Sequence, residues 1–106
     1  MIRNNYRDDG CIWFEDQICE LADRLLTVQG VGFIYMKKRD HSWIKKISDE
    51  GLRFSLLSMS ETQLRMIEEL VFEDKTVTDI RREMNLTITE IRMELKDMRT
   101  ALVAAM

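Results

Sequence analysis

From Ile12 to about Val28 apolar residues return every three or four positions. Phe14, Ile18, Leu21 and Leu25 mark the stripe, and Trp13, Ala22 and Leu26 widen it. This spacing predicts an amphipathic helix, which Gly30 ends. "GVGFIYM" is then apolar at Val31, Phe33, Ile34, Tyr35 and Met36, and a short buried strand and a helical turn both fit it. "LRFSLL" alternates at Leu52, Phe54 and Leu56, which predicts a second short strand pairing with residues 31–36. Between the two, Ser42 as a cap and Trp43, Ile44 and Ile47 as an apolar side predict a short helix ending at Gly51.

The pattern sharpens after Ser58. "SETQ" (Ser60 to Gln63) is a capping box, in which serine and glutamine each satisfy the other's backbone amide. The helix it opens buries Leu64, Ile67, Leu70 and Val71 until "FEDK" breaks it. A second helix starts near Thr76, with Asp79 at the positive end of its dipole and Val77, Ile80 and Met84 inward. "TITE" (Thr87 to Glu90) is another capping box and opens a third helix with Ile91, Leu95, Met98 and Leu102 inward. Only Asn85 and Leu86 separate the last two helices. Asparagine tolerates the left-handed backbone that so short a turn requires.

The composition fits one small helical domain. The chain has 106 residues, no proline, and four glycines, none after Gly51. Residues 1–58 read as an accessory or dimerisation segment and 59–106 as the three-helix segment, together one compact unit. The net charge of −3 conceals a gradient. Residues 37–53 carry six basic against three acidic groups, whereas 76–106 balance at five each. No apolar run approaches the roughly 20 residues needed to span a bilayer, and no secretory signal is visible. Cys11 and Cys19 lie eight apart beside a single histidine, His41, so no metal or cofactor is expected and the thiols suit a reducing, cytoplasmic setting. Without a nucleophile–base pattern or a phosphate-binding glycine loop, an enzyme is not expected either.

Residues about 59–102 resemble the helix-turn-helix of region four of bacterial sigma factors and of the output domain of LuxR-type regulators. The resemblance rests on "MSETQLRMIEELV", "VTDIRREMNLT" and "ITEIRMELKDMRTAL", with Ile80, Met84, Leu86, Ile91 and Leu95 at the family's buried positions and Thr87 at its recognition-helix cap. Arg81 stands where the family usually has alanine, and must either reach outward or widen the helix crossing. Asn85 stands where glycine is frequent. The resemblance implies a small bacterial or phage-type transcription regulator whose last helix enters the major groove of duplex DNA.

At 100° per residue the outward face of that helix is Thr89, Met93, Lys96 and Thr100. Arg92 and Arg99 lie on one flank, and Glu90, Glu94 and Asp97 on the other. Arginine and lysine donate to guanine, threonine serves several bases, and methionine meets a thymine methyl. Thr89, Arg92, Met93, Lys96 and Arg99 are therefore the expected DNA-facing residues. Lys37, Lys38, Lys45 and Lys46, with Arg39, are expected to touch phosphates, although a solvated loop also explains such a run. Trp43 among them stacks on a base or anchors its segment to the core. The N-terminal stripe serves either as core or as the contact of a homodimer. A second functional expectation is an adaptor or inhibitor that binds RNA polymerase or another transcription protein through a helix-turn-helix that no longer reads DNA.

Overall fold

The computed structural model describes residues 10–105, with side chains from Glu20 onward. All its regular elements are helical. In chain order they are α1 (Gly10–Gln29), α2 (Gly32–Lys38), a 3-10 turn (His41–Lys46), α3 (Glu50–Leu57), α4 (Glu61–Ile67) running on into a π turn (Glu68–Phe72), α5 (Val77–Met84) and α6 (Ile88–Ala104).

The expected strand pair is absent among the described residues, because both segments use their apolar positions at helical spacing. In α3 the inward pair is Leu52 and Leu56, four apart, while Phe54 between them points to solvent at 72% exposure. Asp49 fixes that choice by accepting the Leu52 amide at 3.0 Å. At 31–38 the inward pair is Val31 and Tyr35, again four apart, and Phe33 is exposed. The alternation that suggests a strand at 52–56 therefore arises from one exposed phenylalanine. Gly51 does not end a helix but lies in the first turn of α3. The 3-10 turn is capped by Asp40, which accepts the Ser42 amide at 2.9 Å, so Ser42 is not the cap.

Gly30 ends α1 as expected, with a φ of 64° in the left-handed region that glycine enters at no steric cost. α1 packs mainly along α6, and α3 also lies against α6. One cluster of buried side chains joins both halves of the sequence: Leu21, Ala22 and Leu26 of α1, Trp43, Ile44 and Ile47, Leu52 and Leu56, and the inner faces of α4, α5 and α6. The described part of the N-terminal stripe is therefore core. Trp13, Phe14, Ile18 and both cysteines lie outside the described side chains. No helix among the described residues is long and apolar enough to cross a membrane.

Candidate functional site

The α5–α6 pair is built almost entirely from local hydrogen bonds. Thr76 and Asp79 cap each other's amides at 3.1 Å, and Val77 and Ile80 turn inward. α5 ends on Asn85, whose φ of 56° and ψ of 48° are left-handed. The amides of Asn85 and Leu86 both reach the Arg81 carbonyl, the latter at 3.1 Å. This pattern satisfies carbonyls that a helix end otherwise strands. Leu86 is half-buried in the corner. Arg81 neither enters the helix crossing nor leaves the turn, since its Nε donates back to the Leu86 carbonyl at 3.4 Å.

Thr87 and Glu90 form the second box, at 3.1 and 2.8 Å. Ile91, Leu95, Met98 and Leu102 of α6 are wholly buried. Opposite them Thr89, Arg92, Met93, Lys96, Arg99 and Thr100 are all exposed. The acidic flank is partly committed inward. Glu90 caps its own helix, and Glu94 accepts a hydrogen bond from Gln63 of α4 at 3.0 Å, leaving Asp97 the exposed acid of this flank without such a bond among the described residues.

The four lysines of the basic segment are exposed, Lys37 and Lys38 in the last turn of α2 and Lys45 and Lys46 in the last turn of the 3-10 turn. Positive charge there complements the negative helix ends. The 3-10 turn packs mainly against α2 and α3. α3 packs against both the 3-10 turn and α6. Trp43 is fully buried and is an anchor, so it offers no face to a base.

A second polar centre, around the π turn, was not legible as a site in the sequence. Glu68 and Glu69 are buried. Glu68 accepts from the Trp43 indole at 2.7 Å and from the His41 ring at 2.6 Å. Glu73 accepts from the Tyr35 hydroxyl and pairs with Arg39 at 3.2 Å. Burial, and then the Glu73 carboxylate, push the Tyr35 hydroxyl up to about 12. The Tyr35 hydrogen bond, followed by Lys75, holds Glu73 below the usual range.

Lys75 lies 2.9 Å from Glu83, 3.4 Å from Glu73 and 3.7 Å from Glu69. Glu69 binds Arg65 at 3.0 Å, but its other oxygen has no hydrogen bond. Burial, and after it the neighbouring Glu83, raise the Glu69 carboxyl. Phe72 stacks on Tyr35 and meets the edge of Trp43, with ring centres 5.3 and 5.0 Å apart. The signal for this centre is one spacing: Glu68 lies four residues after inward Leu64, inside the apolar stripe of "QLRMIEELV".

Among the described residues no group of three or more histidine, cysteine or acidic side chains is arranged to hold a metal ion. Comparison with models of protein families, with curated proteins and with solved structures finds no match to this chain.

Proposed function

We propose that this protein is a transcription regulator that binds duplex DNA through the exposed face of α6. The observation that supports this most is the division of labour on that helix. Its inner residues are locked in the core, two of its three flanking acids are drawn into internal hydrogen bonds, and Thr89, Arg92, Met93, Lys96 and Arg99 are left exposed. In this reading Arg92 and Lys96 supply the main base contacts. Lys37, Lys38, Lys45 and Lys46 add sequence-independent attraction to phosphates, which weakens as salt rises.

The test is selection of bound duplexes from a random pool at low and at physiological salt, with the Arg92→Ala, Lys96→Ala double variant alongside. One enriched motif, lost in the variant, is the expected result. Each lost bidentate base contact costs about 1–3 kcal/mol of discrimination. Weak binding that ignores the substitutions and vanishes with salt overturns direct readout.

A second reading, an adaptor for RNA polymerase or another transcription protein, is favoured by Phe33 and Phe54, exposed at 70% and 72%. Exposed aromatics of this size are enriched in protein interfaces. The overall negative charge also suits a protein partner better than a phosphate backbone. Failure to recover a stoichiometric partner from bacterial lysate, with the Phe33→Ser, Phe54→Ser variant as control, counts against it.

A further inference from the structure

His41 opens the 3-10 turn that carries Lys45 and Lys46, and its ring lies between two carboxylates from another part of the chain. Nδ1 is 2.6 Å from Glu68 Oε2, and Nε2 is 3.0 Å from both oxygens of Glu61. Each nitrogen faces an acceptor, so both contacts are hydrogen bonds only when both nitrogens carry hydrogen, in the imidazolium. The two carboxylates differ in their freedom. The Glu68 side chain is 4% exposed and also holds the Trp43 indole, whereas that of Glu61, in the first turn of α4, is 73% exposed.

We infer that His41 is a proton-operated clasp, joining the basic 3-10 turn to the start of α4 when protonated and releasing Glu61 when neutral. Losing a proton leaves one nitrogen's lone pair facing a negative charge. Buried Glu68 cannot move away, so the remaining hydrogen stays on Nδ1 and the Glu61 arm opens. The buried Glu68–Trp43 anchor survives, and the change is confined to the turn and the α4 terminus.

The charged groups around the ring support this direction. Glu61 comes from α4, Glu68 from the π turn, and Asp40 precedes the ring on its own segment, where it also senses Lys38 of α2. Arg53 of α3 is occupied by the Ile47 carbonyl at 2.6 Å and by Glu50. Burial alone lowers the basicity of His41, but the hydrogen bonds to Glu68 and then Glu61 outweigh it and hold the ring above its ordinary value. A group raised in the folded state contributes stability that is fully present below its ordinary value of about 6.5. That stability is lost as pH rises through the higher folded value.

Because His41 is the sole histidine, its ring signals are unambiguous in a proton–nitrogen NMR titration of the whole chain. The expected result is a midpoint above the ordinary value and a neutral form protonated on Nδ1. The backbone amides of residues 41–46 and 61–63 should shift with the same midpoint. Glu61→Gln, an exposed change that leaves the fold intact, should lower the midpoint and abolish the shifts at 61–63. A midpoint at or below the ordinary value and unmoved by Glu61→Gln overturns the clasp, as does a neutral ring protonated on Nε2. Ring titration with still amides at 61–63 also overturns it, since the proton would then move nothing.

Discussion

The two turns on either side of α5 solve the same problem by opposite means. Before α5, the π turn and its exit gather partners from far along the chain: Tyr35 for Glu73, and His41 and Trp43 for Glu68. After α5, the Asn85 turn is closed by groups within five residues of one another. The first turn depends on tertiary structure and welds the middle of the sequence to α4. The second nearly builds itself and leaves the outer face of α6 free of structural duty. The buried carboxylates and the exposed α6 face proposed to read DNA therefore occupy different regions, and a change in one should leave the other largely intact.

That separation can be broken in order of expected effect. Glu68→Ala strands the buried Trp43 N–H and removes the charge opposite His41, which should cost roughly 3–4 kcal/mol. In a domain near this size the midpoint of thermal unfolding should fall by about 10 °C or more. Thr87→Ala removes only one cap and should cost about 1 kcal/mol. Equal losses by circular dichroism would erase the distinction between the two turns.

Asn85 sharpens it. Asn85→Ala forces a Cβ-bearing residue without a compensating amide into the left-handed region and should cost about 1 kcal/mol, whereas Asn85→Gly should be neutral or slightly stabilising. Both are read in urea unfolding midpoints at constant m.

A smaller effect of opposite sign is expected beside Glu68. The folded-state carboxyl of Glu69 titrates above its unfolded value, so its ionisation at neutral pH weakens the fold. Glu69→Gln removes that ionisation while Arg65 and Lys75 keep access to solvent, and should raise stability slightly. A large loss instead would make the Arg65 and Lys75 pairs the dominant interactions. Smallest of all, Arg92→Ala and Lys96→Ala should move stability by less than about 0.5 kcal/mol while removing the proposed DNA motif.

What could be read from sequence follows the same division. The reciprocal caps at Ser60 and Thr87 were legible because capping is a matter of three-residue spacing, whereas the sequence placed Asp79 only at the dipole of its helix and the structure adds its reciprocal cap with Thr76. The four inward positions of α6 were legible because they repeat at helical period. The strand pair failed because alternation over five residues cannot distinguish a strand from a helix whose middle residue is exposed, and only the Asp49 cap and the packing of Leu52 and Leu56 decide it. The carboxylate centre escaped for a different reason. Glu68, Glu69 and Glu73 read as ordinary solvated charges until Tyr35, Arg39, His41 and Trp43 are brought to them across 25 or more residues. The candidate DNA face was legible as to which side of the helix is exposed. That Glu94 is held by Gln63 was not.

The π turn has a consequence for how the gene tolerates insertion and deletion. Its hydrogen bond from the Glu73 amide to the Glu68 carbonyl closes one residue later than an α-helical one. The loop of chain it spans is thus one residue longer than α4 alone would need. Deleting a single codon between 69 and 72 would let α4 run through as ordinary α-helix, whose four residues at about 100° each make roughly the same full turn as the five of the wider π turn. Glu73 would stay close to its present direction, whereas an added codon would turn it by about a further 100° and carry it away from Tyr35. Codon loss should accordingly be better tolerated than codon gain within this five-residue stretch, where the register of the whole carboxylate centre is set.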